Sequence, residues 1–188
     1  PKIQIAGCGT GKHALSVASS FQNSSVLAID LSLSSLSYAV RKTKELSVAN
    51  IDYMQGDILK LNTLDRQFDI IESAGVLHHM EEPLVGWKVL VDLLKPQGLM
   101  RIGLYSEIAR QHIVEIREFI AKKGYENSSE DIRQCRYEIM NMPTDSGSRI
   151  QMIINFLDFY SLSECRDLLF HVQEHRFTLP QIENALKK

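Results

Sequence analysis

The sequence predicts an open α/β fold, a mostly parallel five-stranded sheet with helices on both faces. Three observations predict it. The run Ile3-Gln4-Ile5 enters Ala6-Gly7-Cys8-Gly9-Thr10-Gly11, after which Ala14, Leu15, Ala18 and Phe21 recur at helical spacing. Short apolar runs such as Val26-Leu27-Ala28-Ile29 alternate with helix-period stretches, as parallel strands buried on both faces do. The second strand ends in Asp30, an acid about 20 positions beyond the glycines, where an open α/β sheet places a ligand.

The glycine loop admits three ligands. A dinucleotide fingerprint needs glycine at its first, third and sixth positions; Gly7 and Gly9 fit, but the sixth is Lys12. A phosphate-binding P-loop needs Gly-Lys followed by a hydroxyl; Gly11-Lys12 fit, but His13 replaces the hydroxyl and Ala6 the first glycine. Gly-x-Gly-x-Gly after a strand is the third. Such a loop uses glycine because a ligand can then lie against bare backbone.

The first helix is expected over residues 11–21 and the second strand over 26–29. At its tip the Asp30 carboxylate suits the two hydroxyls of a ribose. A helix cap is the alternative, but Ser32 and Ser34 compete for it. The second helix carries Leu36, Ala39, Val40 and Thr43 on one face. A third strand, 51–54, leads into Gln55-Gly56-Asp57-Ile58, where residue types alone allow a turn aspartate and a core isoleucine. The fourth strand, 68–73, runs into Ala74-Gly75-Val76-Leu77-His78-His79-Met80. Neighbouring histidines on a loop point apart and no third ligand sits at a recognisable spacing, so no metal is expected there. Pro83 opens a helix with Leu84, Trp87, Val91 and Leu94 as its apolar stripe. Lys95-Pro96-Gln97-Gly98 reads as a turn and 99–105 as the fifth strand, for a sheet of order 3-2-1-4-5.

Beyond Tyr105 the pattern is helical. A helix over 107–123 would turn Ile108, His112, Ile113, Ile116, Phe119 and Ile120 to a core, with His112 a packed histidine. Ser128 opens a helix with Ile132, Cys135, Ile139 and Met142; 143–148 reads as a flexible loop and 149–157 as another helix. Ser161-x-x-Glu164 and Thr178-x-x-Gln181 are capping-box patterns. His171 and His175 lie four apart on one helix, but without an acidic or thiol partner they predict no metal. The expected organisation is a ligand-binding core over 1–105 and a helical extension over 106–188, covering the substrate side within the same structural domain.

Totals bound the partners. At 188 residues, with a formal net charge of −2 and no basic cluster, the chain offers no usual nucleic-acid surface. No apolar run reaches membrane-spanning length, so no membrane partner is expected. Cys8, Cys135 and Cys165 are odd in number and far apart, which points to a reducing, cytoplasmic setting. The first strand begins one residue into the chain, so a piece of a longer protein is expected.

Strand one, the Gly-x-Gly-x-Gly loop and the acids ending strands two and three resemble the class I S-adenosylmethionine-dependent methyltransferases, over residues 3–105. That resemblance implies a Rossmann-like fold and S-adenosylmethionine as cofactor. It assigns cofactor binding to Ala6, Gly7, Cys8, Gly9 and Gly11 (motif I), to Asp30 with Leu31, to Asp57 and Ile58 for the adenine, and to Ser73. Val76-Leu77-His78-His79 is similar to a segment that walls the space between cofactor and substrate in such enzymes. His78, His79 and Tyr105 become substrate-pocket candidates, and no catalytic residue is assigned. Residues 95–98 resemble the family's Leu-Lys-Pro-Gly-Gly turn with Gln97 in place of a glycine. More narrowly, residues 75–80, 104–107 and 158–168 resemble the methyltransferase module of bacterial tetratricopeptide-repeat proteins. That likeness implies a possible repeat region in the parent chain and a methyl acceptor, small molecule or protein side chain, that it leaves unidentified.

Two departures qualify the resemblance: the family's final β-hairpin and the helix before strand one have no counterpart here. Strand five is therefore expected to present an open or blocked edge, and this length of chain to turn over slowly, as a truncated form would. The rival functions are a non-catalytic cofactor- or partner-binding module, an NAD-dependent dehydrogenase weakened by Lys12, and an ATPase weakened by His13.

Overall fold

The computed structural model describes residues 1–143 and 149–187, and the chain divides into two compact units, 1–104 and 105–188. In the first unit β1 (Lys2–Ala6), β2 (Ser25–Asp30), β3 (Ile51–Gln55), β4 (Phe68–Ala74) and β5 (Leu94–Gly103) form one sheet. Every pair is parallel and the order is β3-β2-β1-β4-β5, as the sequence predicts. Register explains the layering. Ile3 and Ile5 stand opposite Val26 and Ala28, and their side chains share a core with Ala14, Val17 and Ala18 of α1 (Lys12–Ser20) and Leu36 of α2 (Leu33–Glu45). Residues one place along point to the other face.

Two elements of this unit differ from expectation. In α3 (Pro83–Asp92) Pro83 is indeed the first helical residue, but Leu84 and Val91 are exposed and Gly86, Trp87 and Leu90 are buried. Apolar residues surround this helix, so periodicity could not choose its face; the close seat of Gly86 against Met80 does. The expected turn at 95–98 is absorbed into β5, which starts at Leu94. Gln97 takes φ 64°, and the β4–β5 register slips between Phe68 and Ile70. The chain bulges there and continues, keeping its direction and losing only local pairing.

The second unit contains α4 (Gln111–Lys123), α5 (Ser129–Met140), α6 (Leu162–Phe170) and α7 (Leu179–Leu186). Ile116, Ile132, Ile139, Phe159 and Cys165 centre its core. The expected helix over 107–123 begins later: Ile108 precedes it and is exposed, while His112 is packed and stacks on Phe156 at 5.2 Å. The expected helix over 149–157 is instead two 3-10 turns, Ile150–Asn155 and Leu157–Tyr160. β-branched and aromatic residues crowd that stretch and weaken an α-helix. The flexible-loop expectation, apart from Pro143, lies outside the described residues. Thr178 and Gln181 form the full capping box, and Ser161 Oγ accepts from the Glu164 N–H. His171 and His175 do not share a helix, because α6 ends at Phe170.

Nor is the second unit free of strands. β6 (Tyr105–Ser106) and β7 (Arg176–Phe177) pair in parallel as a sheet of their own. Two-residue strands carry too little pattern to be read in advance. Beside them lies the buried carboxylate of Glu174. It takes a two-pronged bond from Arg110 (3.1 and 2.6 Å), with Arg117 at 3.4 Å and Arg176 at 3.9 Å. Such planar pairing suits guanidinium, whose fork matches a carboxylate.

Candidate functional site

The first unit's site grows from the turn between β1 and α1. The Gly7 and Cys8 N–H groups both donate to the Ile29 carbonyl, at 2.8 and 2.9 Å, which draws the loop over the end of β2. Its glycines do different things. A Cβ on Gly7 would fall 2.0 Å from Val76 Cγ2 and one on Gly11 2.6 Å from Ala39 Cβ, so these two let the backbone pack closely. Gly9, at φ 52°, would meet nothing within 4 Å: its space is open, as an approaching ligand requires.

Asp30 is held by this loop. Its Oδ2 accepts from the Gly9 N–H at 2.7 Å and its Oδ1 from the Ser32 N–H at 2.9 Å, while Ser32 itself caps α2. A carboxylate has about four acceptor sites, so two bonds fix its orientation and leave capacity for hydroxyls. Leu31 beside it is exposed. Asp57 caps a 3-10 turn, Ile58–Thr63, by accepting from the Leu59 N–H, and Ile58 is buried. Both plain readings of these residues therefore hold in the structure. The Gly56 N–H donates to the Asp30 carbonyl at 3.0 Å, bringing the tips of β2 and β3 together.

A cavity of about 500 Å³ lies over the loop, lined by Gly7, Cys8 and Gly9 together with Lys12, His13 and Ala74 among others. Burial, and secondarily the charge on Asp30, pushes the Cys8 thiol up to about 12, so it stays protonated and inert. His13 Nε2 lies 2.7 Å from Glu72 Oε2, and Arg101 Nη1 donates to the same oxygen at 3.1 Å. From the sequence His13 counts only against a P-loop, and Glu72 carries no assigned role. The signal available was Glu72 itself, a charge within the apolar run of β4, 59 positions from its partner.

The remaining expected residues are placed as follows. Ser73 is buried, and its neighbour Ala74 lines the cavity. His78 is buried and His79 half-buried in a 3-10 turn, Leu77–His79. Their rings do not point apart as neighbours on an extended loop would: the tight turn sets them edge to face at 4.3 Å. Tyr105 opens the second unit, where Arg110 lies over its ring at 3.6 Å. Burial raises the Tyr105 hydroxyl above its usual range, against the opposing pull of Arg110.

Comparison with known proteins identifies the family of the first unit. The family described as "Methyltransferase domain" matches residues 4–98. An uncharacterized protein of Synechococcus sp. is 36% identical over 64% of this chain and 29% of its own length. The ubiquinone biosynthesis O-methyltransferase of Rickettsia canadensis is 30% identical over 80% of this chain and 64% of that protein. Phosphoethanolamine N-methyltransferase 1 of Arabidopsis thaliana is 27% identical, covering 66% and 25%. The chain thus spans between a quarter and just under two thirds of these relatives. Among solved structures, PKMT2 from Rickettsia typhi in complex with AdoHcy superposes with a TM-score of 0.76, over 99% of this chain and 38% of that one, at 22% identity. At that identity the likeness speaks to the fold.

Proposed function

Since the chain belongs to the methyltransferase-domain family, with the class I fold, we propose that it transfers a methyl group from S-adenosylmethionine to a small molecule or a protein side chain. The observation that carries this reading is the open backbone at Gly9 beside the oriented Asp30 carboxylate. A glycine whose Cβ space is open, next to an acid with acceptor sites to spare, fits a nucleoside with its ribose on Asp30. Gly7, Cys8 and Gly9 would hold the cofactor's centre, with Asp57 and Ile58 on the adenine. Both lie where the tips of β2 and β3 meet.

When bound, S-adenosylmethionine supplies an electrophilic methyl group and a neutral leaving group, so little charge has to be stabilised by the protein. The chain's contribution is then to place and orient, which can itself supply several kcal/mol of the barrier reduction, roughly 7–11 in the best-aligned systems. A base is needed only for an acceptor that arrives protonated. The resemblance to repeat-protein modules supports a parent chain that presents the acceptor through a tetratricopeptide-repeat region.

Calorimetric titration with S-adenosylmethionine, NAD and ATP in turn tests the reading. Saturable binding of the first alone is expected. Binding of NAD or ATP in its place would overturn it.

A further inference from the structure

The glycine loop has a side turned away from the cavity, and two hydroxyls meet there. Gly9, Thr10 and Lys12 line the cavity but Gly11 does not; its bare face lies against Ala39 of α2 and the hydroxyl of Tyr53 on β3. A Cβ on Gly11 would stand 3.1 Å from that oxygen. The residue of β2 beside Tyr53 is the small Ala28, which leaves room for a phenol to reach across. Thr43 of α2 fixes its direction. The Thr43 hydroxyl has one proton, given to the Ala39 carbonyl at 2.9 Å, so at 2.8 Å it accepts from Tyr53. Burial raises the Tyr53 hydroxyl above its usual range, so it keeps the proton it donates.

Gly11 passes this on to the loop. Its N–H donates to the Cys8 carbonyl at 2.9 Å, closing the turn that carries Gly9, and its carbonyl accepts from the Leu15 N–H at 2.8 Å. No side chain caps α1, so the packing behind Gly11 is what seats the start of that helix. On the reading of the site given above, we infer that Tyr53 and Thr43 are positioning residues for the cofactor. Their hydrogen bond is a strut between β3 and α2 that holds Gly11, and through it the Gly9 backbone to which Asp30 is bonded. The strut touches no ligand. It sets the loop in its receiving geometry beforehand, so that less ordering is left to the binding step.

The experiment measures three things on the whole chain: calorimetric dissociation constants for S-adenosylhomocysteine, urea midpoints, and amide hydrogen exchange by NMR. Tyr53→Phe and Thr43→Val each remove a hydroxyl with little change of volume. Each is expected to weaken the ligand about two- to tenfold, the range of one neutral hydrogen bond, and to speed exchange at the Gly11 and Leu15 amides. Thr43→Ser keeps the hydroxyl and should bind nearly as the native chain does. Because the two groups act as one, the double variant should bind no more weakly than either single one. Ile51→Val is the comparison, two residues along β3 and packed against the same core. It should lower the urea midpoint and leave the affinity unchanged. If Tyr53→Phe behaves as Ile51→Val does, or if the losses add in the double variant, the pair is core packing alone and the inference falls. A native chain that binds no S-adenosylhomocysteine would instead sink the proposed function. Unchanged exchange at Gly11 and Leu15 in Tyr53→Phe would sink the strut whatever the ligand does.

Discussion

Asp30 and Gly9 are joined by one hydrogen bond, yet their substitutions should fail differently. Asp30→Ala removes the acceptor assigned to the ribose and is expected to weaken S-adenosylmethionine by ~1.5–3 kcal/mol in a calorimetric titration. An unchanged affinity in a folded variant would show that the acid serves only the loop. Gly9→Val fills open space, so binding should vanish while circular dichroism keeps its helix signal; normal affinity would mean the loop has been misread. The thiols make a third case. Burial pushes Cys8 and Cys135 up to about 12 and Cys165 to about 11, so iodoacetamide at pH 8 should label them slowly when native and promptly in urea. The sign for stability follows. The unfolded chain ionises its thiols near pH 8.5, so this contribution is whole below that pH and declines as pH rises toward the folded values. Prompt labelling of the native chain would contradict the burial.

Among the elements, β5 carries the clearest strain. Gln97 sits at φ 64°, a conformation that glycine enters without Cβ conflict, at the position where the sequence suggested a missing glycine. Gln97→Gly is therefore expected to raise stability by up to ~1 kcal/mol in urea melts, since relief of the side-chain clash outweighs glycine's greater freedom when unfolded. A lower midpoint would show that the glutamine side chain holds the bulge. Elements also show where sequence reading stops. Strands β1 to β4 were legible because short, β-branched segments alternate with helix-period stretches and are bounded by turn residues. The face of α3 was hidden because apolar residues surround it, and the extent of β5 because Lys-Pro-Gln-Gly has turn chemistry inside a strand. In the site, Gly9 and Asp30 announced themselves by spacing along the chain. His13 and Glu72 meet only after α1 and β4 have packed on one sheet, and no local spacing records that.

At the scale of the whole molecule, each unit buries its own core. Phe159 is fully buried in the second, and Phe159→Ala should cost roughly 3–5 kcal/mol there through lost contacts and the cavity left behind. Hydrogen exchange followed by mass spectrometry would locate the loss: faster exchange in α4, α5 and α6 is expected, and unchanged exchange in them would contradict a shared core. One pairing then bears on how the chain is made. β6 lies at the start of the second unit and pairs with β7 near its end, Tyr105 with Arg176 and Ser106 with Phe177. Glu174, which gathers Arg110, Arg117 and Arg176, also comes late in that unit. The first unit holds every strand of its sheet by Gly103, so during translation it can close as soon as that stretch has left the ribosome. The second unit cannot: Arg110 and Arg117 wait for their carboxylate until Glu174 emerges, and β6 waits for its neighbour until Phe177 does. A ribosome paused before the codon for Glu174 should therefore display a protease-resistant first unit followed by a protease-sensitive second one, and the emergence of Glu174 to Phe177 should be what locks the second unit shut.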